Sequence, residues 1–203
     1  MKRILKINKG NKKREKHLIC VTGVASRLGA SHTSLTIANY ISSVLREPVL
    51  YIEPKKYSNL LLLVGQKQVE FQGVDCYRFK GVNYLFSQNI EKLVKTMLNV
   101  DAWVIVDLGE LTEDNDRLFQ ICSTKIVIGS MMPWCRRDYQ EFIRNKLIDK
   151  YDLSSISFYE KNISWENKRE FNKIYGCKLR SMPIINDPFS LKEPEFEEIK
   201  KLL

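Results

Sequence analysis

Apolar residues in this 203-residue chain fall into two patterns that follow one another from end to end. Short, nearly continuous apolar runs occur at HLICVT (17–22), PVLYIEP (48–54), DAWVIVDLGE (101–110), KIVIGS (125–130), ISFYE (156–160) and KLRSMPI (178–184). Runs of this length predict strands buried on both faces. Between them the spacing changes to three and four. Leu35, Ala38, Ile41 and Leu45 predict a helix that starts near Ser31, and apolar positions 90, 93, 94, 97 and 98 predict an amphipathic one. Further helices are expected over Asp114–Cys122, over Arg137–Tyr151 with Tyr139, Phe142, Ile143, Leu147 and Ile148 on the apolar side, over Trp165–Tyr175, and over Glu195–Leu203. NLLLLVG (59–65) fits a short helix or a strand, and VEFQGVDCYRF and GVNYLF are β-rich pieces separated by glycines. This alternation predicts an α/β fold, a mostly parallel sheet with helices on both faces. There is no internal repeat or long linker, so residues 17–203 are expected to form a single domain.

The junction of the first strand and first helix carries the main chemical signal. The apolar run stops at Gly23, where a tight turn needs a residue without Cβ, and GVASRLGASHTS (23–34) leads into the helix. A strand, a glycine-bounded loop and a helix N-terminus make an anion site, because unpaired N–H groups and the helix dipole converge there. The phosphate-loop pattern is G-x-x-x-x-G-K-[ST]. With Gly29 as the second glycine, Ser31 takes the place of the Mg²⁺-binding hydroxyl, but Ala30 stands where the lysine belongs. Gly23 lies one residue too early for the first glycine, and Arg27 is the loop's only full cation. His32, in the first helical turn, either donates to an anion or faces solvent. An ordinary strand-to-helix turn that holds no ligand has the same local features.

Two acids end later strands, Glu53 after PVLYI and Asp107 in DLG. In open α/β sheets ligands gather at the carboxyl ends of strands, so both are expected near the loop. Mg²⁺ is usually held by one or two carboxylates plus phosphate oxygens and water, which makes Ser31, Glu53 and Asp107 a candidate metal set. A cap or turn former is the plainer role for Asp107.

Taken in order, GVASRLGASHTSLTIANYI, YIEPKK and WVIVDLG resemble the MinD/ParA family of deviant-Walker P-loop ATPases. Ala38-Asn39-Tyr40 is similar to the family's first-helix continuation, and MPIINDPFSL (182–191) to its proline-containing final strand and Asp-Pro turn. The nearest flavour is the degenerate branch similar to TadZ and CpaE, polar-localisation proteins of pilus assembly. The resemblance implies a P-loop fold and a site for ATP or ADP with Mg²⁺. Gly23, Arg27, Gly29, Ala30, Ser31 and His32 would lie around the phosphates. It also implies homodimerisation and protein partners in a membrane-associated assembly. Departures from the family are equally informative. The family carries two loop lysines, and this loop has none. In register, Glu53 takes the first of two acids and Lys55 the second, which orients the attacking water; an ammonium cannot accept that water's proton. Phosphoryl transfer rests on positioning and charge stabilisation, so a weak or inactive ATPase acting as a scaffold or localisation factor is expected. The competing readings are an active Mg²⁺-dependent ATPase with a dimerisation switch, and a basic adaptor with a vestigial site. The family's base-reading asparagine has no match in register, Asn162 falling a few residues late.

Charge changes one part of this picture. The net charge is +9, and residues 1–16 hold eight Lys/Arg against Glu15, a net +7 of it. Such an arm is either a solvated, disordered tail or a contact for an anionic membrane surface or nucleic acid. It has no aromatic residue to stack a base. The five cysteines are scattered without a C-x-x-C pair, which argues against a disulfide framework or zinc site and for a reducing cytoplasm, with peripheral attachment at the inner membrane face as the alternative. No apolar run is long enough to span a bilayer. MMPWCRRDY (131–139) follows a strand end, where Trp134 or Arg136 either stacks on a nucleotide base or packs in a loop. No Ser-His-Asp order or Cys-His pair supports hydrolase chemistry.

Overall fold

The computed structural model describes residues 16–161 and 163–203; most of the basic arm and Asn162 lie outside them. The strands are β1 (Leu18–Gly23), β2 (Val49–Glu53), β3 (Gln68–Phe71), β4 (Val74–Phe79), β5 (Val82–Phe86), β6 (Trp103–Glu110), β7 (Thr124–Gly129), β8 (Ile156–Glu160) and β9 (Leu179–Ser181). The helices are α1 (Ala30–Tyr40), α2 (Asn59–Val64), α3 (Ile90–Asn99), α4 (Asp116–Ile121), α5 (Arg136–Phe142), α6 (Trp165–Tyr175) and α7 (Phe196–Lys200). All nine strands join one sheet in the order β3-β4-β5-β2-β6-β1-β7-β8-β9. Pairing is parallel from β5 to β9, while β3, β4 and β5 form an antiparallel meander at one edge.

The expected mostly parallel α/β architecture is what forms. Residues of β1 alternate between two cores. Ile19 and Val21 pack with Ile37 of α1, Ile41 of the π-helical turn that follows it, and Ile199 of α7. Leu18 and Cys20 pack with Leu93 and Met97 of α3, Leu118 and Phe119 of α4, and Phe171 of α6. Because the sheet is covered on both faces, its central strands lack the polar alternation of a one-sided sheet. Each fully buried Ile, Leu or Phe contributes roughly 1.5–3 kcal/mol. All five cysteines are free thiols.

Several elements differ in extent from expectation. After Phe142, α5 passes into a π-helical turn over Ile143–Leu147, and Ile148, nine residues and about 180° round an α-helix from Tyr139, is 46% exposed instead of on the apolar side. In α3 the buried stripe is Leu93, Val94 and Met97, and Leu98, one step of about 100° further round, is 48% exposed. NLLLLV resolves as a helix, started by Ser58, whose Oγ accepts the Leu60 N–H at 3.1 Å. The C-terminal helix shortens to α7 behind a 3₁₀ turn at Glu193–Glu195, and the KLRSMPI strand to the three residues of β9.

The sheet order places the site. From β1 the chain crosses through α1 past β6 to β2, whereas from β6 it crosses through α4 past β1 to β7. The connections thus diverge at adjacent strands, leaving a crevice at their carboxyl ends.

Candidate functional site

The loop after β1 is held by backbone geometry. At Gly23 a Cβ would stand 2.8 Å from the Ala25 carbonyl oxygen, so only glycine lets the chain fold back at once. The Val24 N–H donates to the Ile128 carbonyl of β7 at 3.0 Å, fixing the loop's start. Its end is fixed at Gly29, which sits in the left-handed region at φ 100° as the N-cap of α1. The Gly29 carbonyl accepts the Thr33 N–H and the Thr33 hydroxyl, each at 2.9 Å. No side chain caps α1 and its first turn carries no acid. The leading N–H groups of a helix have no intrahelical acceptor, and they coincide with the positive end of its dipole.

This helix start opens on a cleft of about 980 Å³. Ala25 through His32 form one wall, Pro54 and Lys55 after β2 a second, and Leu108, Gly109 and Glu110 at the end of β6 a third. The structure therefore gathers Arg27, Gly29, Ala30, Ser31 and His32 on one surface, while Gly23 is buried at the strand end beside them. The His32 ring is partly directed elsewhere, its Nε2 donating to the Ile185 carbonyl at 2.8 Å. Loop and C-terminal segment are tied together by that contact.

The two acids behave differently from the metal ligands expected of them. Asp107 is 1% exposed; its Oδ1 accepts the Gly109 N–H at 3.0 Å and its Oδ2 the Tyr51 hydroxyl at 2.8 Å. Burial, reinforced by Asp107, pushes the Tyr51 phenol well above its usual range, so it remains a donor. Glu53 is likewise buried. The Ser58 hydroxyl donates to its Oε2 at 2.6 Å, and Lys55 Nζ stands 3.4 Å from Oε1. Burial raises the Glu53 pKa, Ser58 opposes that rise, and Asp107 adds to it. Neither carboxylate lines the cleft that Ser31 faces. The described residues hold no group of three or more His, Cys, Asp or Glu suited to a metal. A Mg²⁺ ion shared by Ser31, Glu53 and Asp107 does not fit this arrangement, because the acids' oxygens are turned inward onto protein donors.

Cations occupy the rim. Lys55 lines the cleft, and its Nζ lies 3.2 Å from where a Cβ on Gly109 would stand; Gly109, at φ 64°, follows a register shift between β1 and β6. A second lysine stands nearby from outside the loop. Lys161, just past β8, brings its Nζ to 3.4 Å from the Cβ position of Gly29. Its signal, a lysine directly after a parallel strand next to β7, is readable only once the strand order is known. Trp134 is 75% exposed, contrary to the loop-packing alternative. Arg136 is bound to Glu170 at 3.0 Å, and neither residue lines the cleft.

No protein-family profile and no curated protein sequence matches the chain. Solved structures do. A ParA family ATPase from Chlorobium tepidum TLS superposes with a TM-score of 0.63 at 12% identity, over 92% of this chain and 90% of that one. A plasmid partition protein from Borrelia burgdorferi B31 bound to AMPPNP gives 0.61 at 12% identity, over 93% and 97%. The MinD cell division protein of Aquifex aeolicus gives 0.61 at 16% identity, over 92% and 94%. At these identities the likeness is one of fold, and the fold of this chain is that of the ParA and MinD ATPases.

Proposed function

We propose that the cleft above the β1–α1 loop binds the phosphates of an adenine nucleotide, and that the chain acts through binding rather than turnover, as a scaffold or localisation factor. One observation carries this reading: an uncapped helix N-terminus behind a left-handed glycine forms a wall of the cleft between the ends of β1, β2 and β6. A backbone anion site of that kind needs no lysine to hold phosphate. The Borrelia structure of the same fold was solved with AMPPNP, which supports adenine nucleotide as the ligand class. Lys55 in the register of the water-orienting acid supports the absence of turnover, since an ammonium cannot serve there.

The finer role rests on the resemblance to the TadZ/CpaE branch and on the fold. It is organisation of a pilus or secretion assembly in the cytoplasm at the inner membrane face, through protein partners and a homodimer. A MinC:MinD complex from Aquifex aeolicus is among the structures of this fold. In this reading the basic arm, residues 1–16, is the contact for anionic lipid. Deleting residues 1–16 and comparing anionic vesicles with duplex DNA at matched ionic strength tests that role; a preference for DNA would favour an adaptor instead. The nucleotide reading is tested by displacement of a fluorescent ATP analogue, followed by phosphate release from the same sample. Saturable binding with negligible release is expected, and rapid Mg²⁺-dependent release would overturn the inactive assignment.

A further inference from the structure

A site of this fold invites a loop lysine and a divalent ion, and this chain presents neither arrangement. Ala30 stands in the lysine position. Asp107 and Glu53, the acids that would reach a metal, are buried and bonded to Tyr51, Gly109, Ser58 and Lys55. The carboxylates on the cleft lining, Glu110 and Asp114, belong to no group of three or more His, Cys, Asp or Glu among the described residues.

Beside Arg27 on the loop, further positive charge arrives by another route. Lys55 lines the cleft from the end of β2, and its ammonium lies over Gly109. Lys161 comes from the opposite side of β1, from the end of β8; it stands outside the cleft lining, but its ammonium lies over Gly29, which is on it. Lys161 is exposed and makes no ion pair with any described residue. An ammonium held above an uncapped helix start, with no carboxylate to answer it, is complementary to a phosphate oxygen.

Resting on the nucleotide reading above, we propose that this cleft takes its nucleotide as the metal-free polyphosphate, with Lys161 and Lys55 in place of the loop lysine and magnesium. Lys161 meets the oxygens nearest Gly29 and Lys55 those nearest Gly109. Magnesium would then compete with the protein for the same phosphate oxygens rather than bridge them to it.

The test is calorimetric titration of the full chain with ATP, once with EDTA and once with excess Mg²⁺, on wild type, Lys161→Met and Lys55→Met. ATP is expected to bind at least as tightly in EDTA as in Mg²⁺. Each substitution should weaken binding in EDTA by about tenfold, the scale of one lost charge-assisted contact, and thermal melting should show that both variants fold. Binding that requires Mg²⁺, or full affinity in both folded variants, overturns this inference while leaving the nucleotide reading intact. Absence of wild-type binding under both conditions removes the nucleotide reading and this inference with it.

Discussion

The Tyr51 hydroxyl donates to Asp107 Oδ2 across 2.8 Å, from β2 to the neighbouring β6. The acid at the end of the DLG strand is thereby saturated from within the sheet, its other oxygen being held by the Gly109 N–H. Removing the donor should be costly. Tyr51→Phe leaves a buried carboxylate oxygen without its partner, a loss of about 1–3 kcal/mol, to be read as a lower urea midpoint with an unchanged slope. An unchanged midpoint would show that the bond contributes nothing.

Gly29 holds a backbone conformation that strains any residue with a Cβ. At φ 100° a β-branched residue is strained by about 1–2 kcal/mol, and its side chain would enter the space beneath Lys161. Gly29→Val should therefore lower the melting temperature and abolish nucleotide binding. His32→Ala should lose only the contact to Ile185, about 0.5–1.5 kcal/mol, and keep most affinity; equal loss of affinity in both variants would assign His32 a direct role.

Turnover should not return with a single residue. Ala30→Lys restores a loop cation but leaves Lys55 facing the site, and contacts of this class are worth about 10³–10⁵ in rate. Phosphate release by Ala30→Lys should stay at the wild-type background. A large rise from that substitution alone would show that Lys55 does not block the chemistry.

Glu160, fully buried at the end of β8, accepts the Met131 N–H, and burial raises its pKa. The folded chain then holds a proton that the unfolded chain has released. The resulting stability is present below the ordinary carboxylate pKa and is lost as pH rises through the folded value. Glu160→Gln keeps an acceptor and the volume without that ionisation. Its melting temperature should rise relative to wild type as pH increases from 4 to 8, on the scale where an unperturbed Glu titrates near ~4.3. A constant difference across that range would contradict the sign.

Legibility in the sequence followed the range of the interactions. The strand and helix carrying the loop were readable because Gly23, Gly29 and the spacing from Leu35 to Leu45 are local signals, and α6 forms over the very residues its pattern marks. Ile148 is apolar but stands about 180° round a helix from Tyr139, so its residue type alone does not put it on the buried face, and it is exposed. Glu53 ends β2 as its run suggests, whereas β6 continues past Asp107 to Glu110, and the inward orientation of both acids depends on Tyr51 and Ser58, one of which lies on a neighbouring strand. Lys161 was missed because only the strand order brings a residue after β8 over a glycine after β1.

The central claim, a phosphate site built from the β1–α1 backbone, is tested most directly by calorimetric titration of wild type and Gly29→Val with ATP and ADP. Saturable heat from the wild type that disappears in a folded Gly29→Val is the predicted result. No heat from the wild type at millimolar nucleotide, or equal affinity in both proteins, would contradict it.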